Sequence, residues 1–170
     1  MKQLFVFLIP ILLVFSSQII DADKISNSEK GFQEILIGRI DRSDLLVEPF
    51  GTWFEGGYAD YAMDNVTIDV LPETAWENLK ISVILATWCP DSRREVPRFF
   101  KILDYAEFPD QNLELICVNR EKTVPDMNID YLDIQFVPTM IFFRENKEIG
   151  RIIESPEKSL EKDIAEILTN

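Results

Sequence analysis

The sequence predicts a mixed α/β domain, a central β-sheet with helices against its faces in a three-layer arrangement, preceded by an N-terminal extension. Three observations lead there. Residues 81–86 form an almost continuous apolar run of strand length, as a central strand covered on both faces requires. An amphipathic helical pattern and a second apolar strand, 113–118, follow it, which makes a crossover unit with a parallel strand pair. Segments 139–143 and 148–153 flank a short polar stretch, the pattern of an antiparallel hairpin, so the sheet is mixed.

Taken in order, the chain opens with Lys2 and then an apolar run from Leu4 to Phe15, followed by the small residues Ser16 and Ser17. That is the layout of a signal peptide, assigned to residues 1–18. The run is shorter than the roughly 20 residues a bilayer span needs. Export to a periplasmic or secreted location is the expectation, and anchoring by an uncleaved N-terminal segment is the alternative. Residues 19–31 are polar and charged and read as a flexible spacer.

Residues 32–64 read as an extension that packs on the core. Residues 35–40 are apolar, whereas Pro49-Phe50-Gly51-Thr52-Trp53-Phe54 and Gly56-Gly57-Tyr58 look turn-like and aromatic. Phe50, Trp53, Phe54, Tyr58 and Tyr61 offer either a ligand surface or packing against a neighbouring core, and packing is the commoner use of such rings.

The main domain spans 65–170. The β-branched alternation of Val66, Ile68 and Val70 suggests a strand, with a helix capped by Asp64 as the alternative. Pro72 at a first helical position then starts a short helix running to Leu79. After strand 81–86 comes a helix over 90–106, with Val96, Phe99, Phe100, Ile102 and Leu103 at helical spacing. Beyond the hairpin, Ser155 as N-cap and Pro156 as first residue begin a terminal helix whose apolar face is Leu160, Ile164, Ile167 and Leu168.

Composition narrows the function. A net charge of −13 without a basic patch argues against nucleic acid, whose affinity comes largely from Lys and Arg neutralising phosphates; the acidity serves solubility. The chain has no His, so neither His catalysis nor a His-ligated metal is available. Its two cysteines, Cys89 and Cys117, can make neither a disulfide framework nor a four-thiolate zinc site. No metal and no cofactor are expected.

What remains is Trp88-Cys89-Pro90-Asp91-Ser92, set between the apolar strand and the helix. Pro97 stands eight residues after Cys89 inside a helical run, where proline costs about 3 kcal/mol. Phe136-Val137-Pro138-Thr139 precedes the next strand, and X-Pro bonds are the ones for which cis is inexpensive. In these features residues 66–168 resemble the thioredoxin superfamily. The resemblance implies a thioredoxin-like fold, Cys89 as the nucleophile, Pro138 as the cis-proline facing it, and a substrate groove shaped by Trp88, Pro90, Val137 and Pro138. Backbone groups of Val137 would pair with an extended substrate segment.

The sequence departs from the family at one decisive place, since Ser92 stands where the second cysteine belongs. A helix N-terminus presents unpaired N–H groups and the positive end of the macrodipole, both of which favour a thiolate. Ser92, one turn on, is placed to donate its hydroxyl to the sulfur; Arg93 and Arg94 add positive charge and Asp91 opposes them. A serine cannot resolve a mixed disulfide, so Cys89 can only exchange partners and needs an external resolving thiol. The expected partners are protein or small-molecule thiols and disulfides. Cys117 is a possible second thiol, with a buried structural cysteine as the favoured alternative. The competing function is a binding or assembly module that keeps the fold without redox turnover. A peroxidase would need a hydroxyl residue at the position of Ala86.

Overall fold

A computed structural model describes residues 25–26 and 34–170 of the chain. The expected signal peptide, 1–18, lies outside the described residues, as does most of the spacer. Two residues of that spacer are placed. They form β1 (Ile25–Ser26), which pairs antiparallel with β2 (Ile35–Leu36).

The main sheet is built from β3 (Gly38–Ile40), β4 (Leu79–Leu85), β5 (Leu113–Cys117), β6 (Thr139–Arg144) and β7 (Lys147–Ile153). Their spatial order is β3-β5-β4-β6-β7. Only β4 and β5 run parallel; every other neighbouring pair is antiparallel. The four α-helices are α1 (Gly51–Asp60), α2 (Asn65–Asp69), α3 (Pro90–Tyr105) and α4 (Leu160–Thr169). A mixed α/β fold with a five-stranded mixed sheet is therefore what the sequence forms, with β4 at the centre and only Lys80 of that strand exposed.

Successive side chains of a strand point to opposite faces, and β4 uses both. Ile81, Val83 and Leu85 enter a core with Phe54 of α1, Phe99, Phe100 and Leu103 of α3, and Ile164 of α4. Ile84 and Ala86 enter a second core with Ile116, Val118, Ile129, Leu132 and Val137. The helices thus share one face. On the other face the third layer is the chain between β5 and β6, which is irregular apart from one 3₁₀ turn, Asp130–Leu132, instead of the α-helix a three-layer arrangement leads one to expect. Pro125 and left-handed backbone at Lys122, Asp126 and Asp133 keep a longer helix from forming there.

Residues 32–64 are more than a layer laid on the domain, because β3 is a strand of the sheet and α1 packs along α3. The turn-like reading of 49–58 is corrected, since ten of these residues and their neighbours form α1. Phe50 and Phe54, one turn apart, are buried, and the Phe54 and Phe100 rings meet edge to face at 5.4 Å. The glycine at 57 serves close approach, because a Cβ there would lie 2.7 Å from Cγ of Pro97. Arg42 forks onto Asp104 of α3 with two bonds of 2.7 Å, and the Tyr58 hydroxyl donates to the same carboxylate at 2.7 Å.

Three further boundaries differ from expectation. Residues 65–69 are helical, because Asp64 accepts from Thr67 N and from its hydroxyl. Only Ile68 of the β-branched trio is buried, whereas a strand would have put Val66 and Val70 on the same face as Ile68. The expected helix from Pro72 shrinks to a 3₁₀ turn, Glu73–Ala75, because Asn78 takes a left-handed φ of 55° and β4 begins at Leu79. The terminal helix is capped by Ser159, not Ser155: the Asp163 carboxylate accepts from the N–H groups of Glu157 and Lys158 and holds that stretch outside the helix.

Replacing Phe54 by Ala should cost about 3–5 kcal/mol in denaturant unfolding, as for a ring removed from a shared core. A loss below about 1 kcal/mol would show that α1 is not part of it. Burial alone would push the Asp104 carboxyl up, but the bonds from Arg42 and Tyr58 outweigh it and hold it below the usual carboxylate range. A carboxylate depressed on folding stabilises above its unfolded value, near pH 3.9, and that contribution is lost as pH falls through its folded value. Asp104→Asn should therefore be less stable than wild type at pH 7, and the gap should close by pH 2 in acid titration of unfolding.

Candidate functional site

The chain leaves β4 at Leu85 and enters α3 at Pro90, and of the four residues between, the first three, Ala86, Thr87 and Trp88, are each tied down. The Ala86 carbonyl accepts from Cys89 N at 3.0 Å. The buried Thr87 hydroxyl accepts from Leu36 N at 3.1 Å, and the Thr87 carbonyl accepts from Nε of Arg93 at 2.6 Å. The Trp88 indole donates to the Val118 carbonyl at 3.1 Å, just past the end of β5. Cys89 is the N-cap of α3 in an extended conformation, with Pro90 at the first helical position, where its missing N–H is harmless.

The Cys89 thiol donates to the Val137 carbonyl at 3.2 Å. Val137 precedes Pro138 across a cis peptide bond, as the sequence suggested for that proline. The loop is fixed on both sides: the Pro138 carbonyl accepts from Glu154 N at 2.7 Å, and the Thr139 hydroxyl donates to the Phe136 carbonyl at 2.7 Å. Cys89 is 7% exposed, Trp88 half-buried, Pro90 exposed, and Val137 and Pro138 buried. The structure thus brings Trp88, Cys89, Pro90, Val137 and Pro138 to one place, at the carboxyl end of β4.

Ser92 is placed differently. It is wholly buried, and its hydroxyl accepts from Ala86 N at 3.1 Å, with no bond to Cys89 among the described residues. Its work is to fasten the first turn of α3 to the end of β4. The expected donation to the sulfur is corrected accordingly. Asp91, expected to oppose the positive charge, pairs with Arg94 at 2.7 Å.

Cys117 is not a partner for Cys89. It pairs in register with Leu85 and packs with it among the residues of the helical face, whereas Cys89 belongs to the core of the opposite face. Both thiols are free. Complete burial, with the Asp44 carboxylate adding to it, pushes the Cys117 thiol far above its ordinary range. It is a structural core residue, the alternative that sequence reasoning favoured.

Some site residues had no separate signal in the sequence. Thr87 and Val118 matter only through the partners that chain reversal brings them. Arg120, whose guanidinium lies 5.2 Å from the centre of the Trp88 ring, reaches the site only because β5 runs parallel to β4. Phe136, 52% exposed beside Val137, was visible only as part of the proline motif. Among the described residues no group of three or more acidic or thiol side chains is placed to hold a metal ion, and no helix is long and apolar enough to cross a membrane.

No family model matches the chain, and no curated protein matches it. Among solved structures, a 1.5 Å crystal structure of a protein of unknown function from Pseudomonas aeruginosa is similar, with a TM-score of 0.46 and 20% identity over 78% of this chain and 91% of that one. An HIV epitope-scaffold is similar with a TM-score of 0.45 and 20% identity, over 78% of this chain and 92% of its own.

The burial pattern sets the reactivity of the two thiols apart. Native protein treated with a small alkylating agent at pH 8 should take up one group, on Cys89, and the second only after unfolding, as read by intact mass. Labelling of Cys117 in the native state would contradict its placement in the helical-face core.

Proposed function

We propose that this protein is a thioredoxin-like thiol–disulfide exchange protein that works through Cys89 alone, in an exported compartment. The observation that carries the reading is the Cys89 thiol at the head of α3, 3.2 Å from the carbonyl of Val137, the residue before Pro138. A thiol so placed meets an incoming disulfide at a helix N-terminus and beside a backbone segment that can align an extended chain.

The exchange follows from that geometry. Loss of the thiol proton frees the Val137 carbonyl and gives a thiolate. The thiolate attacks one sulfur of a disulfide RS–SR′, so the S–S bond breaks, a Cys89–S–SR bond forms, and R′S⁻ leaves. A second thiolate, R″S⁻, then attacks the sulfur of the R group, regenerating Cys89 and giving RS–SR″. The electron count of the protein is unchanged over the cycle. Ser92 takes no part in resolution, because its hydroxyl is committed to Ala86 N and an alcohol is a poor nucleophile towards sulfur. Isomerisation of protein disulfides, or transfer of small thiols to and from them, suits such a site better than net dithiol reduction.

The second reading, a thioredoxin-fold binding module without turnover, draws on the low exposure of Cys89, 7%, beside the exposed ring of Phe136. One experiment separates the two. Incubated with a small disulfide, wild-type protein should accumulate a mixed disulfide on Cys89 that persists until free thiol is added, Cys89→Ser should form none, and Ser92→Cys should shed it unaided. Absence of any adduct on the wild type would favour the binding module. Unaided decay of the wild-type adduct would contradict the monothiol mechanism.

A further inference from the structure

The arginines of this acidic chain are mostly spent on carboxylates. Arg39, Arg42, Arg94, Arg98 and Arg151 each pair with an Asp or Glu. Arg144 donates to the Ala75 carbonyl, at the end of the sheet away from Cys89. Arg93 and Arg120 also meet no carboxylate among the described residues, and both lie against the segment before Cys89, Arg93 at the Thr87 carbonyl from the first turn of α3 and Arg120 at the Trp88 ring from the chain just after β5. Arg93 uses its Nε on the Thr87 carbonyl, which leaves its terminal nitrogens without a protein partner. Arg120 lies over the Trp88 ring, exposed, with none of its N–H groups bonded to protein among the described residues.

Among the described residues, the acidic side chains nearest in sequence form no ion pair with either guanidinium. Asp91 is held by Arg94. Glu121 lines a separate hollow with Lys122, Asp130 and Asp133. A chain of net charge −13 therefore keeps two guanidinium groups that pair with no carboxylate among the described residues around Trp88, the chain neighbour of Cys89.

We infer that Arg93 and Arg120 select a small disulfide whose transferred half carries a carboxylate, held beside Trp88 while its sulfur meets Cys89. This rests on the thiol-exchange reading and adds the substrate class to it. Guanidinium groups with free N–H pairs match a carboxylate in geometry, and Arg120, stacked on an indole, is already oriented for it. The size of the ligand follows from the charge of the rest of the surface. Screening confines the attraction to a Debye length of about 8 Å at physiological salt, so a small anion feels the two arginines. An acidic protein would instead meet the remaining negative surface. In the exchange, the anionic half RS becomes the mixed disulfide Cys89–S–SR, R′S⁻ departs, and an external thiolate later removes RS as a new disulfide.

The test compares two aromatic disulfides of similar reactivity and size, the dianionic 5,5′-dithiobis(2-nitrobenzoate) and the neutral 4,4′-dithiodipyridine, by stopped-flow absorbance. The anionic-to-neutral rate ratio should be higher for native wild type than for the same protein unfolded in urea. It should fall with added salt. It should fall roughly threefold to tenfold in Arg120→Gln and again in Arg93→Gln, the scale of a single solvent-exposed charge pair. Arg120→Lys should keep most of the preference by retaining the charge. A ratio unmoved by both substitutions overturns this inference while leaving Cys89 a nucleophile, whereas failure of the native protein to react with either probe overturns the thiol-exchange reading itself.

Discussion

Between the end of β4 and the start of α3, a central strand gives way to a helix within four residues, and polar groups at that junction bond to three other parts of the chain as well as to one another. Thr87 holds the N-terminal strand β2 through Leu36 N, Trp88 holds the end of β5 through the Val118 carbonyl, Cys89 meets the Val137 carbonyl, and Ser92 closes the turn onto Ala86 N. Buried donors and acceptors left without such partners would cost on the order of 1–3 kcal/mol each. Four separate segments are thus fixed around one thiol by the requirement to satisfy this junction. The position of the sulfur is a consequence of the fold.

The pleat of the sheet determines which chemistry that sulfur can do. Cys117 lies opposite Leu85 in the parallel pair, and alternation sends its side chain to the helical face, while Cys89 sits in the core of the other face. A sheet therefore separates the two thiols. With Ser92 committed to the backbone, the site has one sulfur and no internal means of releasing what binds to it. On the proposed thiol-exchange reading, turnover depends on a thiol from outside, and the charge of Arg93 and Arg120 bears on which partner that reading admits.

Much of this arrangement could be read from the sequence, for identifiable reasons. The apolar run at 81–86, the amphipathic pattern of 90–106 and the two prolines at 97 and 138 are strong local signals, and the resemblance they carry implied that Cys89, Trp88, Pro90, Val137 and Pro138 come together. Local signals failed where tertiary contacts decide. The glycines at 51, 56 and 57 look like turn residues, yet packing of Phe54 on Phe100 and of Gly57 on Pro97 makes that stretch a helix. A cap by Asp64 overrode the β-branched alternation of 66–70. Ser92 was placed near the sulfur by its spacing alone, and its bond to Ala86 N depends on how β4 ends, which no periodicity reveals.

The central proposal is that Cys89 is a working nucleophile of the folded protein rather than an ordinary buried thiol, and it is tested most directly by the rate of disulfide exchange at that one residue in folded and unfolded protein. With Cys117→Ala as background and a neutral small disulfide at pH 7, native Cys89 should react faster than the same cysteine in urea-unfolded chain, despite being only 7% exposed. A native rate below the unfolded one would mean that Cys89 behaves as an ordinary buried thiol, and would contradict the account.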